Sequence, residues 1–306
     1  MTTLKNGSRG NEVKTLQEAL NKAGNYGLAT DGIFGAKTDA AVKDFQRKNK
    51  LGVDGIVGPQ TWTALGFKTT VSTVNEDSTF TTPHGLVIEN HFLSDREYVH
   101  DKAYTNDYII LHHTAGHDNP KNVVTNWNND TRGRVATEFV IGGQSCDGKR
   151  TENDGRVVKA FPDAGAGYHI GASGIGSSKY DMHAVGIENC CMGHVKDGKV
   201  YTGASIAPSQ IVTLSKPFRG YTQFHRYSDA QLESLRKLLL YIGNRDNIDL
   251  HKGIYEWIKK EGAAAFDFHS DAYNGKVKGI VTHANIRKDK EDMFPQPELM
   301  DMILSL

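Results

Sequence analysis

The sequence is poor in cysteine. Its 306 residues contain three, Cys146, Cys190 and Cys191, and no Cys-x-x-Cys spacing occurs. Neighbouring residues on a strand point to opposite faces, so Cys190 and Cys191 are badly placed to pair with each other. An odd number without motif spacing argues against a disulfide framework. We therefore expect three reduced thiols and folding in a reducing compartment.

Long apolar runs are also missing. Residues 1–13 (MTTLKNGSRGNEV) lack the apolar stretch of a secretory signal peptide. No run elsewhere approaches the length of a membrane span. The sequence thus predicts synthesis in the cytoplasm without a signal peptide, and no insertion into a membrane.

An excess of charge of either sign is absent. Lys and Arg together number 36, as do Asp and Glu. No field of the whole chain therefore favours nucleic acid or an anionic membrane. The composition, 38% hydrophobic and 24% charged, is that of a globular protein, and the length allows two domains.

A five-residue pattern occurs twice near the N-terminus. Residues 31–35 (DGIFG) recur as residues 54–58 (DGIVG), each time ahead of a helical pattern. Apolar residues at i, i+3 and i+7 predict a further helix before the first copy, ended by Gly24. Residues 1–67 are thus predicted to form a small all-α domain of three helices. Its predicted core consists of Leu16, Leu20, Val42, Phe45, Trp62 and Leu65.

This N-terminal stretch resembles the type 1 peptidoglycan-binding domain family found on cell-wall hydrolases. The resemblance covers essentially the whole stretch and implies binding to bacterial peptidoglycan. The matching residues are Gly10-x-x-Val13-x-x-Leu16-Gln17, Asp31-Gly32-x-Phe34-Gly35, Ala41-Val42-x-x-Phe45-Gln46, Asp54-Gly55-x-Val57-Gly58 and Thr61-Trp62.

The pattern changes after the three helices. Residues 68–83 are largely polar without a helical period, which predicts a linker. From residue 84 to residue 306, short strands alternate with helical pieces, which predicts an α/β domain with a central sheet. One of the helical pieces, residues 228–242, starts with Ser228 and Gln231 in the spacing of a capping box.

Two predicted strands end in histidine. Residues 108–111 run into His112 and His113, whose side chains point to opposite faces. Residues 279–282 lead to His283, and a charged loop with Asp292 follows. Two imidazoles and a carboxylate are a three-ligand zinc set that leaves a fourth position for water. With thirteen histidines in the chain, spacing alone does not separate such a site from ordinary packed histidines.

Residues from about 100 to 306 resemble the zinc-dependent N-acetylmuramoyl-L-alanine amidases (type 2 amidase domain), which are related to peptidoglycan recognition proteins. Six motifs appear in the order of that family. They are residues 109–116 (IILHHTAG), residues 154–157 (DGRV), Tyr168-His169-x-Gly171, residues 185–188 (VGIE), residues 281–283 (VTH) and Lys290-x-Asp292. The resemblance implies a mixed central sheet flanked by helices.

The same resemblance implies a metal site and its chemistry. Zn²⁺ would be held by His112, His283 and Asp292. Lys290 matches the position that stabilises the transition state, and Glu188 matches the acidic residue that handles the water in part of the family.

Alternatives stay open at three of these positions. Asp289 is a rival third ligand. Glu188 is also placed to orient a ligand histidine, and Lys290 lies in a charged run where it is expected as a solvated bystander if it has no catalytic role.

The resemblance says less about which residues bind the substrate. His169 matches an element beside the substrate groove, so we expect it to contact substrate. His113 is grouped with it, with an orienting or packing role on the other face of the strand as the alternative. Cys190 and Cys191 follow Glu188, but no base accompanies them, so a thiol nucleophile is not expected.

The chain departs from the family at two places. Residues 136–139 (ATEF) stand where many relatives carry a histidine flanked by an aromatic residue, so no role is transferred there. Residues 201–226 and a stretch within 250–275 make the segment before His283 long. We expect these insertions to lie on loops that reshape the substrate groove or form a partner surface. His251 and His269 in the second insertion are expected at the surface.

The sequence as a whole predicts a modular wall hydrolase. It would cleave the amide bond between N-acetylmuramic acid and L-alanine and act on the cell wall, with the features of a phage endolysin that depends on a holin for access. A bacterial autolysin exported by another route is the alternative biology. A non-catalytic peptidoglycan receptor and a zinc peptidase acting within the stem peptide are the alternative functions.

Overall fold

The computed structural model describes residues 4–49, 51–53, 55–67, 78–95, 97–100, 102, 105–130, 134–171 and 177–306. The chain forms two compact units, Met1–Asn75 and Glu76–Leu306. Residues 68–77, most of the predicted linker, lie outside the described residues. The predicted linker also reached residue 83, but Thr79–Thr81 form a strand of the second unit.

The first unit is helical, and its predicted core is confirmed. Five of the six predicted residues are buried in one cluster, and Leu65 packs against that cluster half-buried. The three helices are α1 (Asn11–Gly24), α2 (Ala36–Lys48) and α3 (Pro59–Ala64).

Each copy of the repeated Asp-Gly turn is held by a glutamine of the helix before it. Gln17 of α1 accepts a hydrogen bond from the Gly32 amide (3.0 Å) and donates one to the Ile33 carbonyl (3.1 Å). Gln46 of α2 does the same at the second copy, with the Gly55 amide (3.0 Å) and the Ile56 carbonyl (2.8 Å). The repeated sequence therefore forms the same pair of glutamine hydrogen bonds at both copies.

The second unit is built on a mixed seven-stranded sheet. Its order is β1-β2-β5-β4-β6-β3-β11; β3 lies parallel to β6 and β11, whereas β4 and β5 are antiparallel. With helices packed against the sheet, this confirms the predicted fold class. The strands are β1 (Thr79–Thr81), β2 (Val87–Asn90), β3 (Tyr108–His113), β4 (Phe139–Ile141), β5 (Val157–Lys159), β6 (Ala184–Asn189), β7 (Val195–Lys196), β8 (Lys199–Val200), β9 (Ile211–Phe218), β10 (Tyr221–His225) and β11 (Gly279–Thr282).

The helices of the second unit differ widely in length. They are α4 (Pro120–Trp127), α5 (Ser177–His183), α6 (Asp229–Asp246), α7 (Ile254–Glu261), α8 (Ser270–Tyr273), α9 (His283–Ile286) and α10 (Pro297–Leu304), with short 3-10 turns at Pro208–Gln210 and Gly262–Phe266. No helix in the described ranges is both long and apolar enough to span a lipid bilayer.

Strand β3 is buried along its whole length, which explains its continuous apolar sequence. Ile109 and Leu111 face a large core that includes residues of α6 and α10. Tyr108 and Ile110 face a smaller core on the other side. Because side chains alternate, His112 continues the second face.

Helix α6 begins as predicted but lacks the second half of a capping box. The Ser228 hydroxyl accepts a hydrogen bond from the Gln231 amide (3.0 Å). The Gln231 side chain does not return the bond, because it is buried and donates to the carbonyls of Ile141 (3.3 Å) and Cys190 (3.1 Å). The Gln231 side chain therefore binds carbonyls distant in sequence instead of the amide of Ser228.

The insertion within residues 250–275 is not a loop, contrary to expectation. It forms α7, the Gly262–Phe266 turn and α8, and it buries Ile254, Ile258 and Phe266 in the large core. His251 is exposed, as expected, whereas His269 stacks on Trp257 with ring centroids 3.8 Å apart. Much of the other insertion forms the antiparallel hairpin of β9 and β10.

Candidate metal centre

Three neighbouring parallel strands deliver polar side chains to one end of the sheet. His112 of β3 lies in register with Glu188 of β6, so both side chains leave the sheet on the same face. On the other side of β3, Thr282 of β11 pairs with Leu111 and His283 follows it. The carboxyl ends of parallel strands in an open sheet are a common place for ligand sites.

His283 is fixed by the helix that it begins. Thr282 caps α9: its hydroxyl accepts from the Asn285 amide (3.2 Å), and the Asn285 side chain accepts from the Thr282 amide (2.9 Å). Asn285 also donates to the carbonyls of Ala265 and Asp267, both at 2.8 Å. The backbone that carries His283 is therefore held both by the capping box of α9 and by the bonds of Asn285 to the Gly262–Phe266 region.

His112, His283 and Asp292 meet at one point. The Nδ1 atoms of the two histidines are 3.1 Å apart. Asp292 Oδ2 lies 3.2 Å from His112 Nδ1 and 2.9 Å from His283 Nδ1. All three residues are buried, and within the described ranges they form the one group of this kind able to hold a metal ion.

The hydrogen-bond partners of His283 and Asp292 bring acceptor atoms together at this point. The other ring nitrogen of His283, Nε2, lies 3.0 Å from the Ile170 carbonyl, which only accepts. Nε2 therefore carries the proton, and Nδ1 of neutral His283 is a bare acceptor. An ionised Asp292 is also an acceptor only. Two acceptors 2.9 Å apart repel each other unless a proton or a metal ion lies between them.

The donor set fits zinc. Zn–N and Zn–O bonds of about 2.0–2.1 Å in a tetrahedron place neighbouring donor atoms about 3.3 Å apart. The three observed separations are 3.1, 3.2 and 2.9 Å. Imidazole and carboxylate are both ordinary zinc ligands.

The electrostatics of the cluster favour the deprotonated ligands that a metal needs. Burial, together with the nearby His283, lowers the pKa of His112 to about 4. Burial raises the pKa of Asp292, but the adjacent imidazoles of His283 and His112 outweigh burial and hold that pKa well below the ordinary value. His112 is thus neutral and Asp292 ionised at neutral pH.

His169 supports the cluster from the side. Its Nδ1 lies 2.9 Å from Nε2 of His112, an arrangement that orients the His112 ring. The ring fits because Gly186 has no side chain: a Cβ there would lie 3.1 Å from Cε1 of His169. Asp181 accepts hydrogen bonds from the backbone amides of His169 (2.9 Å) and Ile170 (3.1 Å).

Glu188 lies beside the cluster without a partner for one oxygen. Its Oε2 is buried and makes no hydrogen bond to any described residue. Burial and the negative charge of Asp292 raise the pKa of Glu188 well above its ordinary value, against the opposing effect of Lys290.

Asp289 and Asp292, the two candidates for the third ligand, have different surroundings. Asp289 is exposed and pairs with Arg287 through both oxygens, at 2.9 and 2.5 Å, and it is not a member of the group formed by His112, His283 and Asp292. The charge of Lys290 affects the pKa values of both His112 and Glu188, so it lies close to the cluster. Its ammonium has no hydrogen-bond or ion-pair partner in the part of the chain that the structure describes.

His113 points away from the cluster, into the other face of β3. Its Nδ1 lies 2.9 Å from the Tyr227 hydroxyl, and its ring centroid lies 6.0 Å from that of Phe294. The structure therefore brings together His112, His283, Asp292, Glu188 and His169 but leaves His113 among aromatic packing.

A cleft of about 490 Å³ starts at the loop after β3. Thr114 and residues of α4 line it, and Tyr201 from the first insertion forms part of its wall. The Tyr201 hydroxyl donates to the Ala115 carbonyl (2.6 Å), although the side chain is largely exposed. The first insertion therefore forms part of a groove next to the strand that carries His112; whether substrate occupies it stays a prediction.

Comparison with known families identifies two matching stretches of the chain. Residues 102–295 match the model of the N-acetylmuramoyl-L-alanine amidase family. The chain belongs to that family. Residues 9–65 of this amidase-family chain match the putative peptidoglycan binding domain. Both resemblances inferred from the sequence are thus confirmed.

Individual relatives of this amidase-family chain match shorter stretches. The N-acetylmuramoyl-L-alanine amidase CwlL of Bacillus licheniformis is 46% identical over 68 residues, 21% of this chain and 18% of that protein. The solved structure of a Burkholderia AP3 phage endolysin is 44% identical over 22% of this chain and 25% of that chain, with a TM-score of 0.21. The N-acetylmuramoyl-L-alanine amidase LysC from Clostridium intestinale is 16% identical over 70% of this chain and 95% of that chain, with a TM-score of 0.36. The chain spans 55% of the length of one curated relative that it matches and 14% of another.

Several residues that shape the cluster were missed in the sequence. Thr282 and Asn285 carry a readable signal, since Thr-x-x-Asn has the spacing of a capping box. Asp181 and the Ile170 carbonyl carry none, because only the tertiary fold brings them to His169 and His283.

Proposed function

We propose that this chain is a peptidoglycan hydrolase that cleaves the amide bond between N-acetylmuramic acid and L-alanine of the stem peptide. Zn²⁺ would be held by His112, His283 and Asp292. The observation that carries the proposal is the meeting of three buried acceptor atoms within 3.2 Å of one another, in a domain of the amidase family.

The residues of the chain set the strength of such a centre. When bound, Zn²⁺ supplies a Lewis acid that polarises the substrate carbonyl and lowers the pKa of a water molecule to about 7. Two neutral imidazoles and a single carboxylate leave the site with net positive charge, which preserves that acidity. His169 keeps the His112 ring oriented, and its remaining edge is proposed to contact substrate.

Glu188 is proposed to move the proton. A carboxylate beside the ligands is placed to take a proton from the attacking water and to pass it to the leaving amine. Burial, followed by the charge of Asp292, raises the pKa of Glu188 well above its ordinary value, which makes its carboxylate a stronger base than that of an exposed glutamate.

Lys290 is proposed to stabilise the oxyanion that forms when water attacks the carbonyl. Its ammonium lacks a partner among the described residues, so its charge is not already neutralised. A positive charge that faces the developing oxyanion is typically worth about 3 kcal/mol of transition-state stabilisation.

The test is product analysis of purified cell wall digested by the full chain. We expect a chelator to abolish the reaction, Zn²⁺ to restore it, and the released peptides to begin with a free N-terminal L-alanine. His112→Ala should lower activity to background. His251→Ala is the matched control, because His251 is exposed and outside the cluster, and it should leave activity unchanged.

Other outcomes identify the alternative functions. New amino termini within the stem peptide would indicate a zinc peptidase. Wall binding without any released peptide would indicate a non-catalytic receptor, and equal wall clearing by His112→Ala and the wild type would contradict the proposed metal site.

The N-terminal unit is proposed to hold the enzyme on bacterial peptidoglycan, a role supported by its family match. We further propose an endolysin made in the cytoplasm, which needs a holin to reach the wall. The three free cysteines, two of them buried, suit folding in a reducing compartment. Lysis of host cells only when a holin is co-expressed would support this biology, whereas lysis without one would favour an autolysin exported by its own route.

A further inference from the structure

The hairpin of the first insertion ends in a tight turn. Phe218 pairs with Tyr221, so Arg219 and Gly220 form a two-residue loop. Both loop residues have positive φ, 51° and 88°, as in the turn type that suits the twist of a two-residue hairpin. Arg219 therefore stands at the tip of the hairpin.

The Arg219 guanidinium bridges the loop that connects two proposed ligands. Its Nε donates to the Lys290 carbonyl (3.1 Å), and Nη2 donates to the Ala284 carbonyl (3.3 Å). Ala284 directly follows His283, and its own amide donates to the Asp292 carbonyl (2.9 Å). Arg219 thus joins the two ends of the loop close to its ligands.

A second contact from the same region reaches the residue before Asp292. The Nδ1 atom of His194 lies 2.8 Å from Glu291 Oε1. The His194 ring is stacked on Tyr221 of β10, with centroids 3.8 Å apart and planes at 13°.

Aromatic packing gives a third contact between this region and the chain around Asp292. Phe224 of β10 stacks on Phe294, two residues after Asp292, at 4.3 Å and 19°. The hairpin therefore contacts the backbone before Asp292 through Arg219 and the ring after it through Phe224. The Glu291 side chain is contacted by His194, which is itself stacked on the hairpin.

We propose that Arg219 is a positioning residue for the reaction. It fixes the loop between His283 and Asp292 and so sets the Lys290 ammonium relative to the metal ligands. This inference rests on the proposed function for the roles of Lys290 and Asp292. Arg219 acts through the two carbonyls and is not assigned any contact with substrate.

The shape of the arginine side chain suits simultaneous donation to the Lys290 and Ala284 carbonyls. Its planar fork directs two N–H groups along fixed directions, whereas a lysine ammonium is a single point charge. The guanidinium also lies over the Phe218 ring, 5.3 Å from its centroid, which holds it at the tip.

The test compares Arg219→Ala with Arg226→Ala in the full chain. Arg226 follows the same hairpin but pairs with Asp229 (2.9 Å) in an exposed ion pair. We expect Arg219→Ala to lower kcat for wall peptide release by roughly 10- to 100-fold with little change in KM, and to weaken Zn²⁺ binding, measured by chelator competition, by about 10-fold. Arg226→Ala should change neither, and Arg219→Lys should recover part of both losses.

A double variant separates positioning from general stability. If Arg219 acts through Lys290, Arg219→Ala should cost little further kcat in a Lys290→Ala background. A full additional loss there, or kcat and Zn²⁺ affinity equal to those of Arg226→Ala, would overturn the proposal. Weaker Zn²⁺ binding by Arg219→Ala in a chain whose wild type releases no N-terminal L-alanine would support the positioning role and refute the proposed reaction.

Discussion

Asp181 holds both histidines of the cluster without touching either imidazole. It accepts hydrogen bonds from the amides of His169 and Ile170. His169 then contacts His112, and the Ile170 carbonyl contacts His283. Burial raises the pKa of Asp181 to about 6, so this anchor is also a titrating group.

The first residue-scale prediction concerns Asp181→Asn, which keeps an acceptor oxygen but does not titrate. With its pKa moved from 3.8 to about 6, the Asp181 carboxyl binds more protons in the folded than in the unfolded state within that window. The contribution of Asp181 to wild-type stability should therefore fall as pH rises from about 4 to 6, and the variant should gain about 3 kcal/mol relative to the wild type over that range. Urea unfolding of both metal-free proteins from pH 4 to 7 measures this difference, and a difference independent of pH would refute it.

The second residue-scale prediction concerns Gly186→Ala. A Cβ at this position would lie 2.7 Å from the Thr137 methyl carbon and 3.1 Å from the His169 ring. Because Thr137 is buried and cannot move away, we expect a loss of about 1–3 kcal/mol in the free energy of unfolding. Gly52→Ala, with nothing within 4 Å, is the control and should stay within about 0.5 kcal/mol of wild type. Equal stability of the two variants would show that the site has room to spare.

At the scale of elements, α9 is stabilised far more than its four residues suggest. We predict that Asn285→Ala lowers the free energy of unfolding by about 2–4 kcal/mol, because it removes half of a capping box and the bonds to the buried Ala265 carbonyl and the partly buried Asp267 carbonyl. Asn274→Ala is the matched control, since Asn274 is exposed and donates only to Ser270 of its own helix (2.7 Å). Thermal unfolding of both variants decides the matter, and a small effect at Asn285 would mean that water replaces its bonds.

Elements with a strong local signal were predictable from the sequence. The apolar runs of β3 and β11 and the periodic residues of α6 gave those elements directly. The Gln231 side chain was assigned to the wrong partner, because its carbonyl partners are distant in sequence: Ile141 lies in β4, and Cys190 directly follows β6. The helices α7 and α8 were taken for loop, because the resemblance to the family does not extend to an insertion.

At the scale of the molecule, the sequence predicted the fold class and both family resemblances. It also named three side chains that the structure brings together, His112, His283 and Asp292, although their role as metal ligands remains a prediction. What it did not reveal is how they are held. The contacts from Asp181 and Arg219 depend on distant segments meeting in space, and no pattern in one sequence records such meetings.

The paired glutamines of the first unit link each helix to the turn that follows it. Gln17 follows Leu16, and Gln46 follows Phe45, in the same place on successive helices. After α3, Leu65 is followed by Gly66, which has no side chain that could hydrogen-bond a further turn. In the first unit each Asp-Gly turn is thus fastened by the helix that precedes it, so the loss of one glutamine should loosen the turn that follows rather than its own helix.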